Sequence, residues 1–184
     1  MTDDTRYRDL VEQGLQASRE GRTAKAVDCF VLAAHEQPAS GVPHFLLGSE
    51  HAAAGDAAAA ERSLADAVLL APDFHLARYQ LGLLQFSSDR PGAALVTWQP
   101  LLEAQDCESL ARFVRGFASL AGDHVVEALA HFRAGLACPD VQVAVAADVQ
   151  KVIDALDRLV APSGDQGTHD VRHVLLSAYA RGLH

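Results

Sequence analysis

The sequence predicts an all-α fold built from repeated helical hairpins, and three regularities carry that reading. Gly14, Gly48, Gly82 and Gly116 lie 34 residues apart, Ala26, Ala60, Ala94 and Ala128 keep the same period, and a turn signal falls between the Gly and the Ala of every unit. With Gly near 7% of average sequence, three further hits after the first have a chance probability of roughly one in a few thousand for a given period. The alanines make coincidence weaker still.

Two more columns extend the alignment. Phe30, Leu64, Trp98 and Phe132 are large and apolar, and Ala33, Ala67, Leu101 and Gly135 are mostly small. The turn signals are Gly21-Arg22-Thr23, Gly55-Asp56, Asp89-Arg90-Pro91 and Gly122-Asp123, so each unit reads helix, turn, helix. Two helices approach closely only where neither carries bulk. The Gly of the first helix is therefore expected to meet the Ala of the second, with the large residue four places on filling the wedge beside it. The units fall at 7–40, 41–74, 75–108 and 109–142, together spanning 7–142. Pro100 sits inside a second helix, where its ring and missing donor predict a kink or an early stop, and Trp98 beside it keeps to the large apolar core column.

Past the repeats, Asp140 is placed to cap a helix over 141–161 whose apolar side is Val141, Val145, Val149, Val152, Ile153 and Leu156. A stack of repeats needs such a cover at its end. Residues 162–167, Pro162-Ser163-Gly164-Asp165-Gln166-Gly167, read as a linker. Residues 168–184 read as a short amphipathic helix or a half repeat, with Val171, Val174, Leu175, Ala178 and Leu183 at helical spacing.

With 184 residues and 49% apolar content, the chain supplies an ample core. The start, Met1-Thr2-Asp3-Asp4-Thr5-Arg6, is polar and no apolar run approaches eighteen residues, so a cytoplasmic protein is expected. Cys29, Cys107 and Cys138 are odd in number and widely spaced, which points to buried fillers rather than to disulfides or zinc. A net charge of −9, with Lys only at Lys25 and Lys151, argues against nucleic acid or an anionic membrane as partner. No phosphate-cradling Gly loop, nucleophile elbow or Cys-x-x-Cys pair occurs. His169 and His173 are four apart but lack a third ligand, so neither metal, cofactor nor catalytic residue is expected.

The Gly, Ala and large-residue columns, with Pro38 and Pro72 near unit ends, resemble the tetratricopeptide repeat family, whose unit is 34 residues. Gln13 and Arg115 stand where that family usually has Leu, and Asp106 and Asp140 where it has Pro. The resemblance implies a right-handed superhelix of about four repeats, with the capping and tail helices, whose first helices line a concave groove used to bind peptides or partner helices. Carried onto this chain, the groove places are Arg8, Val11, Leu15 and Ser18, then Val42, Phe45, Ser49 and Ala52. The third set is Leu76, Tyr79, Leu83 and Phe86, and the fourth Leu110, Phe113, Phe117 and Leu120. Among these, Phe45, Leu76, Tyr79, Leu83, Phe86, Leu110, Phe113 and Phe117 are the expected partner-binding set, with Phe113 and Phe117 as hot spots. Arg8, Gln80 or Gln85 could supply polar anchors.

The chain contains no Asn, so the carboxylate clamp and the asparagine ladders of other family members are absent. Residues 76–86 are apolar on nearly every side, and a helix of that kind is normally covered on every side. Three covers are open: a segment of another protein, the chain's own residues 168–184, or a second copy. The function expected is a non-catalytic protein-interaction module, adaptor or chaperone-like, that binds an apolar or amphipathic segment of a protein or peptide partner. It is similar, more weakly, to small secretion chaperones, which typically carry three repeats behind an N-terminal helix. The alternative is a self-associating scaffold, a homo-oligomer whose C-terminal helix fills its own or a neighbour's groove.

Overall fold

A computed structural model describes residues 2–160, with side chains from residue 4, and these residues form nine helices. They are α1 (Thr2–Arg19), α2 (Thr23–Glu36), α3 (Gly41–Ala53), α4 (Ala57–Leu70), α5 (His75–Ser87), α6 (Pro91–Glu103), α7 (Glu108–Ala121), α8 (Val125–Leu136) and α9 (Val143–Val160). The linker and tail expected over 162–184, with His169 and His173, lie outside the described residues. Two compact units divide within α5, the first running through Leu81 and the second starting at Gly82. In the first, α1 packs on α2, α2 on α3 and α3 on α4; in the second, α6 packs on α7, α7 on α8 and α8 on α9.

The hairpin turns repeat one backbone solution. Gly21, Gly55, Asp89 and Asp123, each 34 residues from the next, all take positive φ, at 70°, 80°, 59° and 59°. Behind each, an amide reaches back five residues: Arg22 to the Ala17 carbonyl at 2.8 Å, Asp56 to His51 at 2.9 Å, Arg90 to Gln85 at 3.0 Å and His124 to Ser119 at 2.9 Å. This left-handed stop satisfies the orphan carbonyls of a helix end, and Asp tolerates it better than most residues with a Cβ. In the fourth turn the left-handed place is Asp123, while Gly122 is an ordinary cap at φ −97°.

The repeated glycines work differently from the expected Gly-on-Ala crossing. Each is met by the large residue of the second helix: Phe30 lies on Gly14, Leu64 on Gly48, Trp98 on Gly82 and Phe132 on Gly116. A Cβ would lie 2.7 Å from Leu64 Cγ at Gly48 and 2.5 Å from Phe132 Cε1 at Gly116. The alanines at 26, 60, 94 and 128 are fully buried, but the ring or Leu occupies the glycine's notch. In the first unit Ala17, Ala26, Phe30 and Leu47 form one apolar cluster, with Leu15, Val27 and Leu46 packed against it. In the second, Phe117 sits among Phe86, Trp98 and Phe132 at centroid distances of 5.3, 5.4 and 4.9 Å.

Helix ends correct two further expectations. Ser40 caps α3 by accepting from the Val42 amide at 3.4 Å, and Asp56 caps α4 by accepting from the Ala59 amide at 2.9 Å. Asp140 does not cap α9, which starts three residues later. Its carboxylate instead accepts from the Ser109 amide at 3.1 Å and the Ser109 hydroxyl at 3.0 Å, satisfying the start of α7 from 31 residues away. Pro100 does not stop α6, which runs on to Glu103. Pro100 deprives the carbonyl of Val96 of its donor, and exposed Val96 lies where water can replace it. The exposed side of α1 carries Asp9, Glu12, Gln13 and Gln16, so that surface of the first hairpin is polar.

The three thiols are buried and unpaired. Burial raises Cys107 above the ordinary thiol value of 9.0, helped by the nearby charges of Asp106 and Asp140. Burial also raises Cys138, with Glu108 adding to it and Arg112 opposing. The Cys107 thiol donates to the Leu101 carbonyl at 3.7 Å and the Cys138 thiol to Ala134 at 3.4 Å.

Two expected outcomes follow from this packing. Replacing Gly116 by Ala gains about 1 kcal/mol of helix propensity, but overpacking Phe132 costs about 1–3 kcal/mol, so urea unfolding followed by circular dichroism should show net destabilisation. Gly92, with nothing within 4 Å of its would-be Cβ, is the control, and Gly92→Ala should be neutral or stabilising. The thiols set a pH limit. Because folding holds Cys107 and Cys138 neutral, their contribution is complete below pH 9.0 and is lost as pH rises from there through their raised folded values. Stability measured from pH 8 to 10.5 should therefore fall less steeply in a Cys107→Ala, Cys138→Ala variant; parallel curves would refute this.

Candidate partner-binding site

Within the first unit, apolar side chains on three successive first helices stay partly open. Leu15 of α1 rests on the core cluster without being enclosed. Val42, in the first turn of α3, is 40% exposed. Phe45, one turn further, is half-buried, and its ring leans on Phe74 at 4.9 Å with a 50° tilt. Leu76, in the first turn of α5, is half-buried. The Ser49 hydroxyl is turned back on its own helix, donating to the Phe45 carbonyl at 3.1 Å. Tyr79 is buried.

One polar pair lies between α1 and α3. The hydroxyl of half-buried Ser18 donates to the Glu50 carboxylate, and Glu50 is only 8% exposed. Arg8, expected as a polar anchor, is held by Asp4 on its own helix at 2.7 Å. Gln85, expected as another, accepts from the Thr97 hydroxyl at 2.7 Å.

The second unit corrects the expected hot spots. Phe113 is 0% and Phe117 2% exposed, and Leu83, Phe86 and Leu110 are buried with them. Phe113 lies on Gly135 of α8, where a Cβ would come within 2.6 Å of its Cδ1. Phe117 is enclosed by the rings of Phe86, Trp98 and Phe132. These side chains hold the hairpins together and offer no ring for a partner to cover. Of the eight residues expected to bind a partner, Phe45 and Leu76 remain partly accessible.

Sequence reasoning missed Phe74 and Glu50. Phe74 lies between helices, where periodicity has nothing to say. Glu50 was readable, because its repeat column runs Gln16, Glu50, Leu84 and Ala118, and an acid is out of place beside Leu and Ala. No helix among the described residues is long and apolar enough to cross a membrane.

No protein-family model and no curated protein matches the sequence. Solved structures do match. PilF of Pseudomonas aeruginosa is 17% identical with a TM-score of 0.66, covering 100% of this chain and 90% of its own. MamA 41-end from Desulfovibrio magneticus RS-1 is 14% identical with a TM-score of 0.61, covering 96% and 90%. The ArsTM double mutant of MamA RS-1 is 12% identical with a TM-score of 0.61, covering 96% and 94%. Together with the 34-residue Gly columns and the helical hairpins, these likenesses show that the chain has an all-α, tetratricopeptide-like fold.

Proposed function

We infer that the protein is a non-catalytic interaction module of the cytoplasm, adaptor or chaperone-like, which holds an apolar or amphipathic segment of a partner protein. The segment lies across the first helices of the first unit, on Leu15, Val42, Phe45 and Leu76. The observation that carries this reading is the row of partly open apolar side chains on α1, α3 and α5. In a protein with this fold, first helices are the natural seat for a partner, as the family resemblance implies.

The energetics are adequate for such a role. Finishing the burial of side chains such as Val42 and Phe45 contributes at most about 1.5–3 kcal/mol each, before ordering costs are subtracted. Several such contacts give an affinity suited to reversible capture.

The test is photo-crosslinking in the source cell, with a photoreactive amino acid placed at Val42 or, as control, at Val126, an exposed apolar residue on α8. A protein adduct formed at Val42 and absent at Val126 is the expected result. A Val42-linked adduct with a second copy would favour the self-associating scaffold, and equal or no adducts at both places would refute the site. A Leu76→Asp substitution combined with the Val42 probe should cut the adduct at least tenfold without unfolding the chain. Position 76 is in the first turn of α5, where an acid is compatible with the helix dipole.

A further inference from the structure

Glu50 is the one carboxylate among the described residues that is buried. Among the described residues its side chain's one hydrogen bond comes from the Ser18 hydroxyl, and no Lys, Arg or His pairs with it. Its second oxygen, Oε2, accepts no hydrogen bond from the described residues. A buried charge without a counter-charge is costly.

Tying α1 to α3 does not explain that cost. A Gln side chain would accept the same Ser18 hydrogen bond with far less desolvation, and Gln stands at the corresponding place of the preceding repeat, Gln16. An acid held between α1 and α3, the helices that carry Leu15, Val42 and Phe45, with one oxygen outside any hydrogen bond of the described residues, has the properties of a specificity anchor. It rewards a cation that arrives with an apolar segment and rejects segments that would bury a second acid there. The chain's net charge of −9 favours the same class of segment during approach.

We propose that Glu50 is the specificity-determining acid of this face, receiving an Arg or Lys carried within the apolar segment of a partner protein. Ser18 is a positioning residue, fixing one carboxylate oxygen so that the other faces the incoming cation. This rests on the partner-binding reading given above and adds the charge of the ligand to it.

The experiment is peptide-display selection against the full chain and against Glu50→Gln, with circular dichroism confirming that both are folded. Enriched peptides are then synthesised and their binding measured by fluorescence anisotropy. Wild type should enrich peptides with an Arg or Lys at a fixed place in an apolar run. Changing that residue to Gln should weaken binding on the order of tenfold to wild type and leave binding to Glu50→Gln nearly unchanged. Peptides that bind without a basic residue, or that depend on it equally in both proteins, would overturn the role of Glu50 while leaving the apolar site intact. Failure to enrich any peptide displaced by Leu76→Asp would remove the site itself. A synthetic peptide of residues 168–184 that displaces the selected peptides through Arg172 or Arg181 would give the site to the chain's own tail and overturn the foreign partner.

Discussion

A large side chain lying on bare glycine backbone is the contact on which the four repeated hairpins of the described residues depend. Phe30, Leu64, Trp98 and Phe132 each occupy the place a Cβ would take on Gly14, Gly48, Gly82 and Gly116. The arrangement exchanges helix propensity for proximity. Each glycine costs its helix about 1 kcal/mol relative to Ala, and each notch lets a residue of up to Trp size bury its flank against the neighbouring backbone. Because close packing leaves no slack, the same exchange fixes the register of the two helices, which neither amphipathicity nor the turns could do alone.

The two units use that register to different ends. In the second, Phe113 finds Gly135 opposite and sinks fully, and Phe117 joins a ring cluster with Phe86, Trp98 and Phe132. In the first, the residue corresponding to Phe113 is Phe45, and the place of Gly135 is taken by Ala67. Phe45 stays half-buried and leans on Phe74 instead. Size at that place does not decide burial alone, since Tyr79, whose column partner is Leu101, is buried as well.

The periodic part of this architecture was legible because it is strictly local in register: Gly, Ala and a large residue recurring every 34 places announce hairpins before any contact is known. The burial of Phe113 and Phe117 was not legible in the same way. Reading one helix at a time, both lie on the face that the resemblance assigns to a groove, and only the pairing with Gly135 and Trp98 shows that the face is closed. Gly135 was visible as the smallest member of its column, yet nothing in that column says which residue of the neighbouring helix it receives. Asp140 teaches the same lesson, since a cap that acts on Ser109 across 31 residues cannot be told from a local one by sequence position.

Glu50 carries the argument from packing to recognition. Elsewhere among the described residues partners are matched, as a ring to a notch at Gly116 or the carboxylate of Asp140 to the amide at the start of α7. Glu50 is matched on one oxygen and open on the other. An acid already positioned by its own fold has less ordering to lose on meeting a counter-ion than one on a free side chain. The hydrogen bond from Ser18 holds one of its oxygens between α1 and α3. On the reading proposed above, one basic, apolar segment would cover the open side chains of α1, α3 and α5 and pair with Glu50 together.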